Sequence, residues 1–158
     1  MLEQLRDLYH AERLINESLE HITVFASHPR LVSTITKYQS QQEDQLMRLR
    51  QVFEQLFERK RGEVSEPIAA MNKQFDELMR RSDDLEILDA MIIINLQHQI
   101  HYKIAGYGAV CTYLKHLGMV ELASVLHENL EVEKKTDRQL AMIADSFIDR
   151  EAIAPEVH

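Results

Sequence analysis

The chain has 158 residues and a formal charge of −8, with Lys plus Arg at 18 against Asp plus Glu at 26. One ordinary domain fits that length; 45% apolar residues are too many for a disordered chain, and the acid excess argues against general binding to nucleic acid backbones or anionic membranes. Four Gly and three Pro leave few sharp turns, which disfavours sandwiches, barrels and Rossmann folds, and one cysteine, Cys111, excludes a disulfide framework or a multi-cysteine metal site. No basic-then-apolar leader opens the chain, and the longest apolar run, Ala90 to Ile94, falls far short of the roughly 20 residues that span a bilayer. The expectation is a soluble, cytoplasmic protein.

The breakers divide the chain. A first helix is predicted over Leu2–Ala26. Ser27-His28-Pro29 ends it and starts the second, with Ser27 as N-cap and proline in the first turn. The second helix runs from Pro29 to Glu58 and is closed by Arg59-Lys60-Arg61-Gly62, with cations against the helix dipole and glycine as a stop. Ser65-Glu66-Pro67 opens a shorter helix to Arg80. Ser82-Asp83-Asp84 caps a long helix over Asp83–Leu117, Gly118 stops it, and the last helix covers Met119–Asp149. Residues 1–149 therefore form the domain, and 150–158 are expected to be a frayed tail.

Apolar spacing shows which faces turn inward. The first helix steps through Leu5, Leu8, Glu12, Ile15, Leu19 and Ile22 in alternating threes and fours. The second repeats this with Leu31, Ile35, Tyr38, Gln42, Gln45, Leu49, Val52 and Leu56. The fourth gives Ala90, Ile93, Gln97, Ile100, Ile104, Tyr107, Cys111 and Leu114. The last gives Leu122, Leu126, Asn129, Glu133, Thr136, Leu140, Ile143 and Phe147. Four such seams make an antiparallel four-helix bundle, with the short helix in the crossover between the second and third long helices. The seams are apolar at both ends and polar in the middle. Glu12, Gln42, Gln45, Gln97, Asn129 and Glu133 all fall near mid-helix, so one polar layer should cross the core. A buried charge costs several kcal/mol unless it is paired or bound to a cation. The layer is therefore either a metal site or a polar layer that fixes helix register.

Four short stretches resemble the YciE/YciF-type ferritin-like stress proteins. Leu5-Arg6-Asp7-Leu8-Tyr9-His10-Ala11-Glu12 resembles the family's L-x-D-x-Y-x-A-E. Arg48-Leu49 and Val52-Phe53 resemble its second helix. His101-Tyr102-Lys103-Ile104-Ala105-Gly106-Tyr107-Gly108 resembles H-Y-E-I-A-x-Y-G, and Leu130-Glu131-Val132-Glu133-Lys134-Lys135-Thr136-Asp137 resembles L-E-E-E-K-A-T-D. The stretches lie in family order across nearly the whole chain. The resemblance implies a ferritin-like bundle, a homodimer, a di-iron-type site and an association with stress.

The departures fall on the carboxylates. Glu12 and Glu133 are kept, but Gln41, Ile100, Lys103 and Val132 stand where the resemblance places acids, with Gln45 nearby. Hard cations want charged oxygen ligands. Amides are poor substitutes, and lysine adds positive charge at the centre. The expectation is a degenerate di-metal site with no cofactor, in which Lys103 points inward, pairs with Glu12 or Glu133, and shares a network with at least one of Gln41, Gln42, Gln45 and Gln97.

His98 and His101 are three apart on one helix, a spacing that can chelate a metal, so the alternative ligand set is Glu12, His98, His101 and Glu133, holding iron or manganese. Gly106 and Gly108 suggest close helix approach. Cys111 reads as core. Leu14, Val24, Phe25, Ile92, Ile94 and Leu96 are apolar but off the seams, and are the candidates for a homodimer face. Three functions remain open: a non-enzymatic, stress-associated ferritin-like protein; a metal-binding oxidoreductase with an altered shell; and a bundle that takes a small apolar ligand in the emptied site.

Overall fold

The structure is a computed structural model that describes residues 1–62 and 64–153, with side chains through Phe147. It contains α1 (Leu2–Phe25), α2 (Pro29–Gln55), α3 (Glu66–Met79), α4 (Leu85–His116) and α5 (Val120–Ile153). Of the tail expected at 150–158, the first four residues continue α5, and 154–158 lie outside the described residues.

Contacts between helix ends fix the directions. Arg6, near the start of α1, donates to the Arg59 carbonyl (3.2 Å) beyond the end of α2, so the two helices are antiparallel. Asp89, near the start of α4, accepts from Ser27 beyond the end of α1, so α4 is also antiparallel to α1. The His28 ring at the start of α2 packs edge-on against Phe147 near the end of α5. α1 and α5 each pack on α2 and α4, and the parallel pairs lie on the diagonals. The crossover carries the chain back along the bundle, and α3 lies on α1 and α4. This is the ferritin-like four-helix bundle.

The termini show which local signals won. Asp84 caps α4, its Oδ1 accepting from the backbone of Glu86 (3.0 Å) and Ile87 (3.2 Å). Gly118 (φ 77°) ends it, with Gly118 N–H donating to Lys115 O and Met119 N–H to Leu114 O. That is a Schellman closure at the glycine the sequence offered. Ser27 is not the cap of α2. His28 Nδ1 accepts from Arg30 N–H (3.2 Å), while Ser27 turns to Asp89, whose carboxylate takes Ser27 N–H, Ser27 Oγ and His28 N–H at 2.8, 2.6 and 2.9 Å. A buried carboxylate from another helix offered more than the local serine.

α2 stops at Gln55 rather than Glu58. Phe57, at φ 55°, makes the same closure as Gly118, with Phe57 N–H on Glu54 O and Glu58 N–H on Phe53 O. The basic run lies beyond this closure, and Gly62 is not the stop. A Cβ at Gly62 would lie 2.8 Å from Arg6 Cβ, so glycine there lets the loop cross α1.

The core divides into two apolar clusters. One gathers Ile15, Leu19, Ile35, Ile93, Ile100 and Leu140, among others, with Ile68 and Phe75 of α3. The other gathers Leu5, Leu8, Leu49, Val52, Leu114 and Leu126. Two expected surface residues, Ile92 and Leu96, belong to the first cluster and are 0% and 1% exposed, because α3 covers a second side of α4. They leave the set of candidate dimer contacts.

Phe57 occupies a left-handed backbone position that disfavours bulky side chains, and its own side chain is 97% exposed. Phe57→Gly should raise stability by about 1 kcal/mol, read as a Tm increase of about 2–4 °C. A lower Tm for that variant would contradict this account of the α2 terminus.

Candidate functional site: a buried lysine between two glutamates

The middle of the bundle is a polar layer between the two clusters. α1 supplies Glu12, α2 Tyr38, Gln42 and Gln45, α4 Lys103 and Tyr107, and α5 Asn129 and Glu133, all fully or almost fully buried. Each sits near mid-helix, where antiparallel neighbours share one height. Gly106 lets α4 approach α1 closely enough for this. A Cβ there would strike Leu8 Cδ2 at 2.8 Å.

Lys103 is the centre. Its Nζ donates to Glu12 Oε2 at 2.7 Å and to Glu133 Oε1 at 2.8 Å, with no exposure on any of the three side chains. The second oxygen of each carboxylate takes a phenol: Tyr107 donates to Glu12 Oε1 (2.6 Å) and Tyr38 to Glu133 Oε2 (2.7 Å). The ammonium also lies 5.1 Å from the centre of the Tyr38 ring, within cation–π range. Asn129 Nδ2 donates to Tyr107 Oη (3.0 Å) and to the Gln45 carbonyl (3.1 Å), and its Oδ1 accepts from Arg48 (3.2 Å).

Lys103 thus points inward and pairs with both glutamates. The donors around them differ from those the sequence suggested. Gln42 reaches only the Tyr38 backbone carbonyl at 3.4 Å, and the Gln45 side chain bonds to none of the described groups. Gln41 is half-buried at the edge. Gln97 is half-buried and donates to Asp137 (3.0 Å), while Gln99 turns inward and donates to Asn72 of α3 (2.7 Å). α4 packs on α1, α3 and α5, so its buried surface is wider than one seam and its inward row shifts by a residue. Tyr38 and Tyr107 lay on the seams but carried no polar signal there, since a tyrosine in a seam reads as packing.

Ile100 is buried in the first apolar cluster, and Val132 packs against it half-buried. His98 and His101 lie on the outer surface of α4, and His101 Nε2 meets Asp137 at 3.0 Å. They do not join Glu12 and Glu133, so the four-residue alternative shell is not assembled. Among the described residues, no three His, Cys, Asp or Glu side chains converge. Lys103, Tyr38 and Tyr107 are buried at this level, where the third reading would put a small apolar ligand.

The electrostatics follow from burial and charge count. Two carboxylates and one ammonium leave the trio at −1, and one proton makes it neutral. Burial pushes Glu133 up, the Lys103 ammonium pulls it back and the Glu12 charge pushes it up again, leaving its carboxyl at about 6. Burial pushes the Lys103 ammonium down, but the two carboxylates more than reverse this and hold it above its ordinary value. Burial, then the nearby carboxylates, keep Tyr38 and Tyr107 well above the usual phenol range, so both stay donors.

Lys103→Ala strands two buried carboxylates. It should cost about 3–5 kcal/mol in chemical denaturation, against about 0.5 kcal/mol for an ordinary surface lysine. A Lys103→Ala variant as stable as the parent would contradict the pairing. The pH dependence has a definite sign. Glu133 holds its proton more tightly folded than unfolded, so its contribution is complete below about pH 4.5 and is lost as pH rises through about 6. That contribution should fall by about 2 kcal/mol across the window, read as the difference in pH dependence of stability between the parent and Glu133→Gln.

Comparison with known proteins agrees with this architecture. The chain is 28% identical over 149 residues to protein YciF of Escherichia coli K12, covering 94% of this chain and 90% of that one. The crystal structure of the E. coli stress protein YciF superposes with a TM-score of 0.88 at 26% identity, covering 94% of each chain. YcfI of Rhodopseudomonas palustris superposes with a TM-score of 0.85 at 32% identity, covering 89% of each. The family described as a domain of unknown function, DUF892, matches residues 1–153, and the chain belongs to it.

Proposed function

We propose that this chain is a non-enzymatic, metal-independent member of the YciF-type stress proteins, in which Lys103 permanently supplies the charge neutralisation that a bound cation would give a ferritin-like centre. One observation carries the reading: the Lys103 ammonium contacts both surviving glutamates at 2.7 and 2.8 Å inside a fully buried layer. The donor set does not fit a pair of hard cations. Each carboxylate has one oxygen on the ammonium and the other on a phenol, and Ile100 and Val132 offer no ligand atoms. A metal would have to displace a covalently tethered cation and then sit beside it, against like charge.

Every acid, base and phenol of the layer is buried, so none is open to a substrate from solvent. The stress association comes from the relative's description as a stress protein. The role that fits such a layer is structural: it sets the register of four helices and holds the bundle in one arrangement.

Elemental analysis of protein purified without chelator should find substoichiometric iron, manganese and zinc. Two metal ions per chain would overturn the proposal. Lys103→Glu returns a carboxylate to the centre and removes the tethered cation. It should retain more manganese or iron after dialysis than the parent, and its metal-free form should unfold at lower denaturant.

A further inference from the structure

One end of the bundle combines two features that the rest of the molecule keeps apart. The ends of α2 and α4 and the starts of α1 and α5 meet there around one apolar cluster, which takes in Leu5, Phe53, Leu114 and Leu122. The chain turns at this end after α2 and again between α4 and α5. Asn129, the Tyr107 phenol and the Gln45 carbonyl are joined at one level of the central layer. By helical rise, Phe57 and Leu117 each stand about 15–18 Å beyond that level, so the two tips reach a common height.

Large apolar side chains crown both tips. Phe57 is 97% exposed on the first, and Leu117 and Val120 are more than half exposed on the second. Phe57 carries a double cost, since an apolar ring faces solvent from a left-handed backbone position that suits glycine. No contact within the chain offsets that cost at a side chain so exposed. Charge singles out the same end. The whole chain has 18 Lys and Arg against 26 Asp and Glu. Across 56–65 and 113–120 the balance inverts, with Arg59, Lys60, Arg61 and Lys115 against Glu58 and Glu63. All four cations are exposed, and Glu58 accepts from Arg6 at 3.4 Å. Glu54 and Glu121 flank the tips on α2 and α5. The opposite end also exposes apolar residues, Val24 and Leu85 among them, but its turn before α4 carries Asp83 and Asp84 beside Arg80 and Arg81.

We propose that this end docks on an anionic lipid surface, with Phe57, Leu117 and Val120 entering the headgroup region and Arg59, Lys60, Arg61 and Lys115 beside the lipid phosphates. The acid excess of the whole chain opposes general attachment, but a membrane attracts the charges that lie within a Debye length of it. Apolar tips at a common height suit a plane, whereas a folded partner is met by a groove or one contiguous apolar patch. The arginine and lysine stems can lie along the interface with their heads among phosphates. The contact stands the bundle on end, with the opposite end in water. It uses no residue of the buried layer and is independent of how Lys103 is read.

The chain contains no tryptophan, so one can serve as a reporter. Phe57→Trp should shift its emission to the blue on vesicles of phosphatidylglycerol and phosphatidylcholine, and not on phosphatidylcholine alone. Val24→Trp, at the opposite end, should not shift on either. Salt at about 0.5 M should release the protein. Arg59→Gln with Arg61→Gln should weaken co-sedimentation with the anionic vesicles by roughly twentyfold. Phe57→Gly should weaken it by roughly tenfold, although the same change relaxes the α2 terminus and leaves Tm unchanged or higher. Loss of binding without loss of stability separates the surface from the fold. No binding to anionic vesicles at low salt, equal shifts from both tryptophans, or a Phe57→Gly variant that binds like the parent would each overturn the proposal. So would capture of soluble polyglutamate with no affinity for vesicles, which would assign this end to an acidic protein.

Discussion

The pairing of Lys103 with Glu12 and Glu133 is the constraint on which the rest of the fold depends. Three ionisable groups sit in an apolar bundle with no exposure, and taking each out of water costs several kcal/mol. Mutual attraction offsets that cost only if every remaining hydrogen-bonding position is satisfied. The two tyrosines do this for the carboxylates. Their burial-raised pKa values keep them neutral donors, so they add hydrogen bonds without adding charge.

A centre of this kind tolerates no slip between helices. Moving α4 by one turn would carry Lys103 about 5.4 Å out of the layer and strand both acids. The surroundings hold it in place. Gly106 admits α4 close to α1, and Asn129 ties the Tyr107 phenol to the backbone of α2. At the far end of the bundle, Asp89 fastens the α1–α2 corner to α4 through three short hydrogen bonds. The polar layer chooses the register, and these contacts fix it at both levels.

The crossover explains the unusual character of α4. A helix in the corner of a four-helix bundle buries one stripe and shows a polar back. α4 has α1 and α5 beside it and α3 over it, so apolar residues occupy a wider arc, and Ile92 and Leu96 are buried where a plain bundle would expose them. Between Ile87 and Tyr113 the exposed and half-buried positions that remain carry no Asp, Glu, Lys or Arg.

Much of this was written in the sequence. Periodicity determined four long helices and their inward faces, because a heptad seam is a local property of the chain. Mid-helix Glu12, Gln42, Gln45, Asn129 and Glu133 announced a polar layer, and a lysine at a position where the resemblance places an acid announced how its charge is met. Asp84 and Gly118 were legible as a cap and a stop because their chemistry acts on neighbouring backbone. Other features were decided by tertiary structure. Asp89 took Ser27 away from its expected capping role, because a contact from a distant helix outweighed local preference, and the α2 terminus formed at Phe57 rather than at the glycine. The tyrosines, not the glutamines, became donors to the acids, and Gln99 replaced Gln97 on the inward side. The reason is geometric. A seam says that a residue faces inward, but which atom meets which depends on helix rotation and side-chain reach, and those are set only when five helices pack at once.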